Sequence, residues 1–391
     1  MSSFGYSRKA VVELASRYRG LIEEIEQQKT NDVSAAAAES KAEAEEALFT
    51  ELCECCLWGN ATDLSLLTSL TYSDVQALQG SEARKSAEKN VLVNDIGAAF
   101  RALKATRDKD GPTEKKRRVD IALDNAGFEL YVDLVFAGYL LAAGLATEVV
   151  VHPKEIPWFV SDVTPTDFET LLEALAEPGK AFSNGSDNRE SSAERTSSSG
   201  NEVLLFLSRH LNALRDEGKI RMQKDSFWHQ AGSHLRMPKA SPQLFRDFQN
   251  SELVIFKGDL HYRKLTSDVG HQNVFFRLCC FHPLLCLCFS LTLLTYIVTA
   301  VQAMWPATTP FAEVLGPLGV GSGIRTLALR TCKADVVVGL KEGVDERLRG
   351  EEEGGNDGDN GGDGGGGKSS GARKWAWTGK WALAQFCDGK L

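Results

Sequence analysis

The chain has 391 residues, 43% of them hydrophobic, enough for roughly two domains around a sizeable core. Its formal net charge of −9 argues against a general nucleic-acid binder. The nine cysteines lack the repeated CxxC spacing of a zinc ribbon, and Met1 to Gly20 has no apolar leader core, so a reducing, intracellular setting is expected.

From about residue 7 to 105 helix formers dominate, and residues 1–110 are assigned to an N-terminal helical region. Cys53, Cys55 and Cys56, in "ELCECCLWGNATDLSLLTSL", read as helix packing rather than metal ligands. The run Lys115-Lys116-Arg117-Arg118 reads as a solvated loop, with a nuclear import signal as the alternative. The expected compartment is therefore the cytoplasm, with the nucleus possible.

The character changes near Arg118. "RVDIALD" is strand-like, Gly127 to Ala143 is helical, "ATEVVVH" is a strand, and "WFVSDV" is a further apolar run ending in Asp162. Thr166 and Glu169 are expected to box the next helix, whose apolar face runs from Phe168 to Leu175 and which stops at Pro178-Gly179. Residues 181–201 read as a flexible insert, and a helix follows around Leu204 to Glu217. "ELVIFKGDL" is the next strand, broken at Gly258, and "TLALRTCKADVVVGL" supplies one or two more. Residues 349–374 form a low-complexity loop, and "KWALAQF" is the last strand. Strand, helix, strand in short order predicts an α/β fold, a three-layer parallel-sheet (Rossmann-like) domain over residues 111–391.

One stretch breaks the pattern. Leu278 to Ala312 carries no charged side chain and is long enough to span a bilayer. It lies between strand segments of one α/β domain, so residues 270–300 are read as an aberrant apolar insert, a translated intron, and not as a membrane anchor.

In open parallel sheets ligands bind at the carboxyl ends of strands. Asp124 and Asn125 end the first strand, Asp162 ends "WFVSD", Asp259 follows "LVIFKG", and Lys333 lies inside a later strand segment. Two carboxylates and an amide oxygen are hard ligands suited to an octahedral divalent ion, which can activate water and polarise a phosphoryl group. Lys333 and Arg263 would supply charge for phosphate oxygens, and the Gly127 helix start backbone N–H groups. Taken singly, each of these acids also suits a turn or cap. An aspartyl-phosphate phosphatase would need a second Asp where Thr164 stands. A methyltransferase would need its Gly-rich loop after a first strand, and "GVGSG", Gly319 to Gly323, follows no good strand.

"DNAGFELYVDL", "IPWFVSDVTPTDF", "LVIFKGDLHYRKL" and "RTCKADVVVGL" resemble the metal-dependent damage-control phosphatases. The similar branch is the eukaryotic one also described as acidic-residue (protein-glutamate) methyltransferase, whose Arg-Thr-x-Lys motif is here Arg330, Thr331 and Lys333 around Cys332. The resemblance implies a divalent metal, Mn²⁺ or alternatively Ni²⁺, Co²⁺ or Mg²⁺, held by Asp124, Asn125 and Asp162. It implies substrate contacts from Asp124, Asn125, Asp259, Leu260, His261, Tyr262, Arg263 and Lys333, with Asp124 and Asp259 as the catalytic pair. His261 departs from the family pattern, which carries Asn there. The implied activity is hydrolysis of small sugar phosphates such as fructose 1-phosphate or fructose 6-phosphate. The expected partners are thus small phosphorylated metabolites, with no nucleic acid and no membrane. The alternatives are an S-adenosylmethionine-dependent protein-glutamate O-methyltransferase and an inactive, misfolded relative.

Overall fold

Alternation along the central strands sends side chains into two apolar layers. In β2 (Arg118–Ala122), Val119 and Ile121 join one hydrophobic cluster and Ala122 the other. In β5 (Leu253–Lys257), Leu253 and Ile255 face the first layer, and Val254 and Phe256 the second. Strands apolar on both faces belong in a parallel sheet covered on both sides. The computed structural model describes residues 8–28, 35–59, 88–110, 116–181, 198–267, 305–354 and 373–391.

Among the described residues the sheet has seven strands in the order β1-β7-β6-β5-β2-β3-β4, where β1 is Val91–Asn94, β3 Glu148–His152, β4 Ile220–Met222, β6 Arg325–Thr331 and β7 Ala382–Asp388. Strands β2 to β6 run parallel to one another. The sheet is mostly parallel, as expected; β7 alone runs against its neighbour β6, from Arg325↔Asp388 to Thr331↔Ala382, and β1 pairs parallel to β7. The chain leaves β6 and re-enters at β7 on the same side of the sheet, and such a return is antiparallel.

The first layer holds α1 (Arg8–Gln28), α2 (Ala35–Gly59), α3 (Ile96–Asp110), α4 (Phe128–Ala142), α5 (Pro165–Ala176) and α6 (Ser198–Asp216). The second holds α7 (Pro242–Gln249), α8 (Gly258–Leu265) and α9 (Val344–Gly354). Helix α4 is buried from Phe128 to Leu140, because α1 and α2 close over it. Gly138 permits that approach: a Cβ there would stand 2.2 Å from the Tyr18 hydroxyl. Cys53, Cys55 and Cys56 are buried in the same layer.

Local readings also change. The helical run to residue 105 is interrupted by β1, whose four residues are too few to show an alternation. "WFVSD" is not a strand: Ile156, Trp158, Phe159 and Val160 are exposed in a loop. The box of α5 is Thr164 with Asp167, not Thr166 with Glu169. Pro165 sets the helix start, and Asp167 Oδ2 accepts from Thr164 N at 2.8 Å and Oγ1 at 2.6 Å. Of the basic run, Arg117 is buried and Arg118 binds Asp120, so those two are not solvated.

The apolar run 270–300 lies outside the described residues, as do most of 181–201 and 349–374. The chain resumes at Trp305, whose indole donates to Thr266 O at 3.1 Å. Among the described residues no helix is long and apolar enough to cross a membrane.

Candidate active site

The carboxyl ends of β2, β5 and β6 meet at one edge of the sheet. Just past β2, the backbone of Asn125 bridges Asp162, with Ala126 N donating to Ser161 O at 2.8 Å and Val163 N to Asp124 O at 2.8 Å. This short ladder places Asp162 opposite Asn125 although the loop before it is irregular. Two backbone N–H groups, of Trp158 and Phe159, each donate to Asp162 Oδ2 at 2.7 Å. The buried Lys154 ammonium lies 2.9 Å from Asp162 Oδ1 and 4.0 Å from Asp124 Oδ1.

The Asn125 side chain has a fixed direction. Its amide nitrogen donates to Asp124 Oδ2 at 3.0 Å and Glu129 Oε2 at 2.8 Å, while its oxygen accepts from Ser161 Oγ at 2.7 Å. A neutral residue stands beside Asp124 because this position must donate to two carboxylates and still present an oxygen. Across from it, Gly258 begins α8 at φ 84°. A Cβ there would come within 1.8 Å of Asp124 Oδ2, so only glycine lets the helix start against the carboxylate.

Burial and then the Glu129 charge push Asp124 up to about 7, against the pull of Lys154 and Lys333. The buried Asp124 carboxylate, the Asn125 amide oxygen and the Asp162 carboxylate, carried by the same short ladder, fit a divalent ion in their donor chemistry. Among the described residues no three His, Cys, Asp or Glu side chains gather as a metal cluster, so the set depends on the Asn125 oxygen.

The remaining expected residues divide. Lys333 lies beyond β6, not inside a strand, half-buried, and its charge acts on Asp124. Asp259, on the first turn of α8, accepts at Oδ1 from Arg330 Nε at 2.7 Å and from Lys333 N at 3.1 Å. Arg330 is fully buried, stacks 4.3 Å over the Tyr262 ring and binds the carbonyls of Val336 and Ala334. It is thus a strut for the loop carrying Lys333, and Thr331 is a buried strand residue paired with Ala382.

Two expected substrate side chains turn into the core. His261 donates from Nε2 to Leu123 O at 3.1 Å and accepts at Nδ1 from His234 Nε2 at 3.0 Å, since a carbonyl can only accept. Tyr262 donates to Gln385 Oε1 at 2.8 Å. Leu260 is buried and Arg263 half-buried on the same helix.

The sequence reading did not single out Lys154, Glu129, Ser161 or Lys257. Glu129 falls four residues after Asn125, one helical turn on, which was a usable signal. Lys154 and Lys257 carried none. "GVGSG" precedes β6, at the end of the sheet away from Asp124, so it supplies no cofactor loop to this site.

The sequence profile of the damage-control phosphatase ARMT1-like domain matches residues 1–348. The chain belongs to this family. The damage-control phosphatase ARMT1 of Xenopus tropicalis is 31% identical over 351 residues, covering 90% of this chain and 63% of that protein. The Danio rerio protein of that name is 30% identical over 344 residues, covering 86% and 58%. The Homo sapiens one is 29% identical over 392 residues, covering 100% and 67%. The chain therefore spans about three fifths of the length of the curated relatives it matches. A crystal structure of a DUF89 family protein from Pyrococcus horikoshii matches with a TM-score of 0.28 and 14% identity, covering 66% of this chain and 81% of that one.

Proposed function

We propose that the chain is a metal-dependent phosphatase acting on small sugar phosphates of the fructose 1-phosphate or fructose 6-phosphate type, in metabolite damage control. The observation that supports it most is the bridge holding Asp124, Asn125 and Asp162 together beside the N-terminus of α8. Asp124, Asn125 Oδ1 and Asp162 would hold the ion, Mn²⁺ first among Mn²⁺, Ni²⁺, Co²⁺ and Mg²⁺. When bound, it supplies Lewis-acid polarisation of the phosphoryl group and a more acidic water.

The chain's own residues do the rest. The first N–H groups of α8 point at an anion placed against the helix start, where the dipole favours negative charge. Lys333 neutralises charge that grows on the phosphoryl oxygens. Asp124 orients the attacking water and takes up its proton. Asp259 holds the Lys333 loop through its contacts to Arg330 and the Lys333 N–H, a positioning role. Leu260 and Arg263 complete the substrate side from α8, whereas His261 and Tyr262 support it from beneath. Purified chain should release phosphate from sugar phosphates only with divalent metal. Release of methanol from a methylated carboxylate, with no phosphate release under any of the four metals, would point to the methyltransferase alternative instead.

A further inference from the structure

We propose that Glu129 and Lys257 form a positioning pair that fixes the side-chain amide of Asn125 with its oxygen forward. This rests on the reading of Asn125 as a ligand. Lys257 is the last residue of β5, and its ammonium lies 2.7 Å from Glu129 Oε1 and 2.9 Å from Asp133 Oδ1. Glu129 Oε2 in turn accepts from Asn125 Nδ2 at 2.8 Å. The side chains of Lys257, Glu129 and Asp133 are each at most 2% exposed.

Chemistry gives the chain of contacts a direction. An ionised carboxylate only accepts, so Glu129 selects the NH₂ end of the amide, and Asp124 Oδ2 selects it again. A flipped Asn125 would set its oxygen against two carboxylates and its NH₂ against the region facing Ser161. The Lys257 ammonium sits against Glu129 where both side chains are closed off from solvent, so it balances the carboxylate's charge in place. Burial pulls the ammonium down, but the charges of Asp133 and Glu129 more than reverse that and hold it above its ordinary value. A buried ion pair is a weak source of stability compared with an apolar pair of equal volume. Its placement directly behind Asn125 gives it a role that apolar packing could not fill. Groups that orient a metal ligand from behind change affinity by about 10- to 100-fold when replaced.

Two measurements test this. In wild-type chain labelled with ¹⁵N at asparagine, the Asn125 side-chain NH₂, identified by its loss in Asn125→Ala, should show protected, widely split proton signals. An unprotected, averaged pair would overturn the proposal without reference to any variant or metal. In Mn²⁺ titration calorimetry, Glu129→Gln should bind about 10- to 100-fold more weakly while keeping a cooperative melt, because the Gln amide must turn its NH₂ toward either Lys257 or Asn125. Lys257→Met should shift the Asn125 signals in the same direction as Glu129→Gln. Wild-type affinity in a folded Glu129→Gln would overturn the pairing. If wild type itself binds no divalent ion, the proposed metal function fails, and the Asn125 signals still decide whether the pair orients the amide.

Discussion

At Asn125 the amide nitrogen donates to Asp124 and Glu129, so an aspartate there would set three carboxylates together in a buried space. Asn125→Asp should lower thermal stability by about 3–5 kcal/mol, the scale of an uncompensated buried charge, and abolish phosphate release. A folded, active Asn125→Asp would mean that the amide is not needed as a donor. Lys333→Met removes the charge proposed to face the phosphoryl oxygens and should cut turnover by about 10²-fold with little change in melting. Gly258→Ala places a methyl against Asp124 Oδ2 and forces a positive φ, a strain of about 1–3 kcal/mol. Its activity should fall far more than its stability, read by comparing turnover with the melting midpoint. Asp124, Asn125 and Asp162 were legible because hard oxygen donors after apolar runs are conspicuous. Lys257 was not, because its role exists only through a contact to a residue 128 positions away.

Elements decide which of these side chains face the site. The loop before Asp162 reads as a strand because it is apolar, yet its residues are exposed and its backbone is spent on the Asp162 carboxylate. Phe159→Ala keeps the N–H and should keep the site, whereas Phe159→Pro removes a donor to Asp162 and should weaken Mn²⁺ binding in calorimetry. Equal affinity in the two variants would rule out the backbone clamp. In α8 the sequence motif names five consecutive residues, but a helix can present only some of them, and His261 and Tyr262 fall on the inner face. The strands β2, β3, β5 and β7 were legible from apolar runs; β1 and β4, with four and three residues, were too short to carry a pattern. The Trp305 indole bonded to Thr266 O brings the chain on either side of 268–304 together. Deleting residues 270–300 should therefore leave the melt of the sheet unchanged and raise soluble yield. A deletion variant that loses its cooperative melt would show that this stretch belongs to the fold.

For the whole molecule, two apolar layers on a seven-stranded sheet hold the site rigid from behind, and the histidine pair lies within that support. Burial, then Lys264 for His234 and Lys154 for His261, holds both imidazoles well below their ordinary range. The unfolded chain takes up their protons below about pH 6.5 and the fold does not, so stability from this source is full above that pH and lost as pH falls. Asp124 and Asp133, raised to about 7 and 6 by burial, act with the opposite sign, favouring the fold as pH falls. The comparison is therefore between chains: the loss of melting temperature from pH 7 to 5 should be smaller in His234→Gln than in wild type. The proposed metal site is tested most directly by phosphate release from a panel of sugar phosphates by purified wild type and Asp124→Ala, each with Mn²⁺, Ni²⁺, Co²⁺, Mg²⁺ or chelator. A metal site built on Asp124 requires release by wild type with metal, none with chelator, and none from a folded Asp124→Ala. Undiminished release in chelator, or by Asp124→Ala, would contradict it.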